Sequence, residues 1–248
     1  MNRPMRVLVG CETSGVVRRA FAARGHDAWS CDLLPADDGS NHHIRGDVRD
    51  HLNDGWDLLA IMHPPCTRLC NSGVSWLIGA DGGPPKKLPK AAPGEATAAE
   101  KAAWSEMSFD EKLRIMWRLL DEGAALFTAC WQAPIERVAV ENPIMHKYAR
   151  ERLPADLVKP QIVQPWWFGE EAKKASGLYL RGLPPLVATN KLTPPPTDSE
   201  ENKRWQATHY ASPGPDRWKI RSKTFQGIAD AMADQWGGEV KGQMELFA

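Results

Sequence analysis

Four times before residue 67 a short apolar run breaks off at a turn that carries a carboxylate or a thiol, and this repetition limits the fold more than any other feature of the chain. Residues 5–9 read as a buried strand, the turn Gly10, Cys11, Glu12, Thr13, Ser14, Gly15 follows, and Val16, Val17, Ala20 and Phe21 then recur at helical spacing. Residues 27–31 form a second strand that closes at Asp32, and Gly46, Asp47 and Val48 repeat the pattern as a third acidic turn. Residues 57–62 read as a continuous strand running into His63, Pro64, Pro65 and Cys66, where the prolines forbid further ladder pairing. Such an alternation predicts an α/β fold with a mostly parallel sheet and helices on both faces, because parallel neighbours need a crossover. It also collects strand ends along one edge, where ligands of open sheets bind.

The alternation resumes after an interruption. Residues 77–111 are rich in Gly, Pro, Ala and Lys, with Pro84, Pro85, Pro89 and Pro93 breaking any regular element, and read as a mobile lid or insertion. From 109 to 129, Leu113, Met116, Leu119, Leu120, Ala124 and Phe127 fall at helical spacing, and 135–140 is another buried strand, stopping at Glu141. Residues 161–186 read as short strands and turns, and 188–221 as a proline-rich polar stretch without compact order. Residues 225–236, with Ile228, Ala229, Met232 and Ala233 on one face, read as a closing helix that Gly237 and Gly238 terminate, and the residues beyond as a loose tail. A length of 248 residues accommodates one α/β domain with a modest appendage.

Lysine and arginine together number 31, as do aspartate and glutamate, so composition supplies no bulk attraction for nucleic acid and any phosphate contact has to come from a local basic face. The five cysteines, Cys11, Cys31, Cys66, Cys70 and Cys130, are odd in number, and Arg3 and Arg6 precede an apolar stretch that ends in a glycine turn instead of a cleavage site. Reduced thiols and a cytoplasmic location are the expectation. No apolar run approaches the roughly 20 residues of a membrane span, so no membrane partner is expected. Cys66 and Cys70 are too widely spaced for a CxxC pair, with no second Cys or His pair to complete a zinc site, and no metal is expected. His42 and His43 read as solvated loop residues.

Each candidate site residue has an ordinary structural alternative. The turn 10–15 lets backbone approach a bound cofactor, but it lacks a GxGxxG pattern, and a plain tight turn accounts for it equally well. Asp32 suits a ribose hydroxyl, and Asp47 at the next strand end tips the balance toward an adenosine pocket over a solvated turn acid. A lone cysteine is more often inert than reactive, so Cys66, delivered by Pro64 and Pro65, gains weight only with a partner. Glu141 is that partner, a carboxylate at a strand's carboxyl end; its alternative is a surface or helix-capping acid.

Residues 57–66, with their Pro-Cys, and Val140, Glu141, Asn142, Pro143 resemble the nucleophile and Glu-Asn motifs of DNA cytosine carbon-5 methyltransferases. In order, Gly10 to Gly15, Asp32, Asp47, Cys66 and Glu141 are similar to that family's successive cofactor and catalytic motifs, and residues 143–148 and 164–186 are similar to its small, phage-encoded members. The likeness covers most of 5–185. It implies a Rossmann-like S-adenosylmethionine-dependent methyltransferase fold, with S-adenosylmethionine held by Gly10, Cys11, Glu12, Thr13, Ser14, Gly15, Asp32, Asp47, Val48 and Pro65. It implies DNA as partner, with a cytosine flipped into the site. Cys66 would attack carbon 6, Glu141 would stabilise ring nitrogen 3, and Lys174 would stand in for the basic residue that holds the base.

Departures from the family pattern are specific. Met62 and His63 stand where the family has a glycine pair, and Thr67 follows the cysteine in place of glutamine. Lys173, Lys174 and Arg181 are the basic residues nearest the later arginine motif, and Arg221, Ser222, Lys223, Thr224 and Phe225 replace the Gly-Asn motif that helps complete the cofactor pocket. The resemblance divides the chain into a catalytic core, 1–187, a reduced target-recognition segment, 188–221, a closing helix, 222–238, returning to the core, and a tail, 239–248. That segment is too short for the roughly 600 Å² or more that a single DNA-reading module buries, so a short or relaxed sequence preference follows. In it Lys191, Lys203, Arg204, Arg217, Lys219 and Arg221 interleave with Trp205, Tyr210 and Trp218, a mixture that suits phosphate contact and base stacking as well as a solvated loop with tryptophans packed on the core. Trp166 and Trp167 are weighed in the same way, as one wall for a base against ordinary core. Two other readings stay open: a pyrimidine carbon-5 enzyme acting on RNA or a free nucleotide, and a non-catalytic cofactor-binding or nucleic-acid-binding module.

Overall fold

A computed structural model of the chain describes residues 3–62, 64, 69–70, 76–79, 81–210, 212 and 217–238, the side chains of Arg217, Trp218 and Ile220 excepted. In chain order the elements are β1 (Arg6–Gly10), α1 (Val16–Ala22), β2 (Asp27–Asp32), β3 (His43–Arg45), β4 (Leu58–Ile61), α2 (Ala98–Ala103), α3 (Phe109–Trp131), β5 (Arg137–Glu141), α4 (Lys147–Arg150), β6 (Gln161–Val163), β7 (Ser176–Arg181), α5 (Glu200–Trp205), α6 (Arg217–Ser222) and α7 (Gln226–Trp236). Chain contacts divide the protein into two compact units, one of residues 1–63, 130–142 and 158–248, the other of 64–129 and 143–157.

The first unit holds all seven strands, in the order β3-β2-β1-β4-β5-β7-β6. β1 to β5 run parallel, and β7 runs antiparallel to both β5 and β6. The protein is thus α/β, with a mostly parallel mixed sheet. Winding reverses between β1 and β4, a switch point beside which open sheets of this kind form a crevice. Register brings Gly10 level with Cys31 of β2 and Ile61 of β4, so three strands end together.

Strands buried on both faces read as unbroken apolar runs, and Val7, Leu8 and Val9 are all sealed from solvent. One face carries α1 and α7: Val17, Phe21, Ile228, Met232 and Trp236 pack with Val7, Val9, Leu58, Ala139 and Leu178 in one core. Arg24, just past α1, reaches Asp230 at 3.3 Å and Asp234 at 2.5 Å on α7. The indole N–H of Trp236 donates to the Pro184 carbonyl at 3.0 Å, which fixes the far end of α7. At its near end a Cβ on Gly227 would overlap the Phe168 carbonyl oxygen, so only glycine permits that approach.

The second unit contains α2, α4 and α3 up to Ala129. Met116, Leu119, Leu120 and Phe127 are buried. Arg118 of α3 holds Glu100 of α2 through two 2.8 Å bonds, and the Trp117 ring meets Tyr148 of α4 edge-on at 6.4 Å.

Three expectations are corrected. The stretch 77–111 is not wholly irregular, because past Pro93 the pair Thr97 and Glu100 forms a reciprocal capping box that starts α2. Residues 188–221 include two helices; Ser199 caps α5, acids open it, Lys203 and Arg204 close it, and Trp205 is buried. His43 is not a solvated loop residue: it lies in β3, with Nδ1 2.8 Å from the Ser30 hydroxyl and Nε2 2.9 Å from the Leu34 carbonyl. Among the described residues no helix is long and apolar enough to cross a membrane.

Phe21 has no exposed surface, so Phe21→Ala should cost about 3–5 kcal/mol by urea denaturation, through lost transfer energy and the cavity left behind. Leu33→Ala, at a residue 68% exposed, should change stability by less than about 0.5 kcal/mol; equal losses for the two would contradict this core assignment.

Candidate functional site

β1 stops because Cys11 takes the left-handed conformation, φ 56°, and turns the chain out of the ladder. For a residue with a Cβ this costs about 1–2 kcal/mol. Gly10 is required by packing, since a Cβ there would overlap side-chain atoms of Ile61 and Val48. Gly15, with φ 63°, supplies the left-handed turn into α1. The redirected chain leaves a cleft of about 260 Å³, close to the roughly 300 Å³ at which small-molecule pockets begin. Cys11, Glu12, Thr13, Ser14, Asp32 and Asp37 line it, together with Lys219, Ser222, Lys223 and Thr224.

Glu12 sets the charge of this cleft. Its carboxylate is buried and accepts from the backbone N–H groups of Val17 at 2.9 Å and Arg18 at 3.3 Å and from the Ser14 hydroxyl at 3.2 Å. The first turn of α1 is therefore neutralised by an acid of its own chain. Burial still outweighs those bonds and raises the Glu12 carboxyl above its ordinary range. Asp32 is raised as well, by burial, and accepts from the Leu34 N–H at 2.9 Å. Asp37 is tied to Thr13 by its backbone N–H at 2.8 Å and through the Thr13 hydroxyl at 3.2 Å, and lies 3.7 Å from the Lys219 ammonium.

A second cavity opens at the end of β5. It is small, about 20 Å³, enough for roughly one water, and is lined by Glu141, Lys174, Ser176 and Leu178 together with Met62, Val163, Thr224 and apolar residues of α7. Thr224 lines both cavities, so cleft and cavity share a wall. Beyond Glu141, the Asn142 N–H donates to the Gly177 carbonyl at 2.8 Å. The Asn142 side chain is fully buried with neither amide atom hydrogen-bonded, a costly state unless function requires it.

Of the residues expected to bind a cofactor, Cys11, Glu12, Thr13, Ser14 and Asp32 line the cleft. Gly10, Gly15 and Val48 act on its shape from outside the lining. Asp47 lies outside the cleft lining: it caps the turn Val48–His51, accepting from the Arg49 N–H at 2.9 Å, while the Arg49 guanidinium holds its carboxyl below the usual range. Glu141 and Lys174 are brought together at the second cavity. Pro65 and Cys66 lie outside the described residues. Asp37, Lys219, Ser222, Lys223 and Thr224 complete the lining beyond the residues expected there; Lys219 belongs to the basic mixture of 188–221, and Ser222, Lys223 and Thr224 to the stretch that departs from the family pattern.

Trp166 and Trp167 are half-buried and meet edge-on at 5.7 Å, and the Lys191 ammonium sits 5.5 Å from the Trp166 ring centre. Among the described residues no cluster of His, Cys, Asp and Glu is arranged to hold a metal ion. No protein-family model matches the chain, and no curated protein matches it.

A carboxyl whose folded pKa exceeds its unfolded value contributes stability below the unfolded pKa and loses it as pH rises through the folded one. Glu12 has this sign. The stability of the native chain relative to Glu12→Gln should therefore fall as pH rises from about 4 toward neutrality, measured by urea unfolding across that range. A difference independent of pH would contradict the raised carboxyl.

Proposed function

We propose that the chain is an S-adenosylmethionine-dependent methyltransferase that adds a methyl group to carbon 5 of cytosine in DNA through a covalent adduct on Cys66. The observation that carries this reading is the shared wall at Thr224, which sets a cleft lined by Glu12, Asp32 and Asp37 together with Lys219 and Lys223 beside a water-sized cavity holding Glu141 and Lys174. Group transfer needs donor and acceptor sites in contact. The strand order, with its switch point between β1 and β4, supports a Rossmann-like arrangement.

The chemistry of the cleft favours a cationic donor over a dinucleotide. N–H groups of α1 that would receive a pyrophosphate already hold the Glu12 carboxylate. S-adenosylmethionine supplies an electrophilic methyl group on a positively charged sulfur, and Glu12, Asp32 and Asp37 suit that charge and the ribose hydroxyls. In this reading the Cys66 thiolate adds to carbon 6 of the base. Glu141, as the carboxylic acid, stabilises the electrons that reach nitrogen 3, and Lys174 holds the base. Carbon 5 is thereby made enamine-like; once methylated, it loses its proton and Cys66 leaves, restoring the ring.

Of the other four thiols, Cys11, Cys31 and Cys130 support the choice of Cys66. Burial pushes the Cys11 thiol well above its ordinary range and Cys31 and Cys130 up to about 12, so none of these offers a thiolate near neutral pH. Cys66 follows Met62, a residue of the Glu141 cavity, by four positions, a tether of at most about 14 Å. Reduced thiols also fit a cytoplasmic enzyme.

Fluorine at carbon 5 blocks the final proton loss and traps the adduct. The protein with S-adenosylmethionine and a 5-fluorocytosine oligonucleotide should give a denaturation-stable complex, and Cys66→Ser should give none. Glu141→Gln should slow methyl transfer by about 10²-fold or more. Asp32→Asn should weaken cofactor binding about tenfold in calorimetry. An adduct that survives Cys66→Ser, or none formed by the native chain with cofactor bound, contradicts the mechanism; parallel RNA and dCMP arms identify the substrate class.

A further inference from the structure

Lys174, Ser176 and Leu178, two residues apart, all face the Glu141 cavity, so the alternation of β7 extends back to Lys174. Lys173 then belongs to the opposite side, and there α5 receives it. The Lys173 ammonium donates to the Asn202 side-chain oxygen and, at 3.5 Å, to the Pro195 carbonyl. Its backbone N–H donates to the Trp205 carbonyl at 2.7 Å.

The acceptors are themselves fixed. Asn202 Nδ2 donates to the Thr197 carbonyl at 2.7 Å and its N–H to the Ser199 hydroxyl at 3.0 Å, and Asn202 and Trp205 are each 4% exposed. Earlier in the same loop, the Glu170 carboxylate accepts from the Gly227 N–H in the first turn of α7 at 3.1 Å. An ammonium donating to two uncharged oxygens makes charge-assisted hydrogen bonds, stronger than neutral ones, so the grip on Lys173 is firm as well as directional. Successive side chains along an extended chain point to opposite faces, so a backbone rotation that frees Lys173 also turns Lys174.

We infer that α5 is a positioning element for Lys174: Asn202 and the Trp205 carbonyl grip Lys173 on one side of the strand and so keep Lys174 in the Glu141 cavity on the other. This rests on the methyltransferase reading. It gives residues 190–205 a part in the reaction itself instead of a recognition surface, and buried Trp205 is not offered to a base.

The test is a double-mutant cycle of Asn202→Ala and Lys174→Ala, read by methyl transfer to a cytosine oligonucleotide and by the dissociation constant of S-adenosylmethionine. Asn202→Ala should slow turnover roughly tenfold, since small misplacements at a reacting centre have effects of that order or larger. It should leave cofactor affinity unchanged within about twofold and add nothing once Lys174 is already alanine. Asn202→Asp, which keeps an acceptor for Lys173 but loses the bond to the Thr197 carbonyl, should recover turnover in part. If Asn202→Ala does not fold, Lys173→Met replaces it in the cycle with the same expected outcome, because it leaves the cap of α5 intact. Native turnover with multiplying single effects overturns this inference alone. A native chain that binds cofactor but neither transfers methyl nor forms the covalent adduct overturns the methyltransferase reading, and this inference falls with it.

Discussion

The packing of α7 on α1 and β1 is the contact on which the site depends. Ile228, Met232 and Trp236 are buried there, each contributing about 1.5–3 kcal/mol, and two aspartates of α7 bracket Arg24. Because α7 has to seat on that face, the residues before it, Lys219 to Phe225, cross the ends of β1, β2 and β5. Thr224 becomes the wall common to cleft and cavity for this reason, and no local property of threonine would put it there. The fit of Gly227 against the Phe168 carbonyl sets how closely that lead-in approaches the sheet.

Charge in the cleft follows the same logic of a chain satisfying itself first. A short helix beginning beside a ligand site ordinarily offers unpaired N–H groups to an anion. Here Glu12 takes them, so the anion is built in and the space beyond it favours a cation. Arg18 and Arg19 both turn to Asp38 and Lys219 approaches Asp37, while Lys223 adds a positive charge to the same lining. A neutral overall charge is compatible with this local bias, since the two describe different length scales.

What could be read from sequence was what repeats. β1 with its glycine turn, the strand ending at Asp32, the strand ending at Glu141, the long helix α3 and the closing helix α7 all follow from apolar runs and helical spacing, signals that survive in a single sequence. The strand end before Asp47 was legible, but His43's place in β3 was not, because it bonds to Ser30 of the neighbouring strand, a partnership thirteen positions away. α5 was hidden by the prolines on its N-terminal side, although its Ser199 cap and charge order were present in the sequence. Asp47 and Asp32 look alike as strand-end acids; what separates them is that Arg49 folds back on one, while the other faces the cleft. Lys174 was singled out by family likeness alone, and its meeting with Glu141 depends on β7 inserting antiparallel beside β5, a pairing that no local pattern encodes.

The most direct measurement is mass spectrometry of the nucleosides from DNA incubated with the purified protein and isotopically labelled S-adenosylmethionine. It reports base, ring position and added group together. Labelled 5-methyldeoxycytidine is the predicted product. Label found only on an exocyclic nitrogen, or no labelled nucleoside from DNA, RNA or free nucleotide while the cofactor demonstrably binds, would contradict a thiol-dependent attack on the pyrimidine ring.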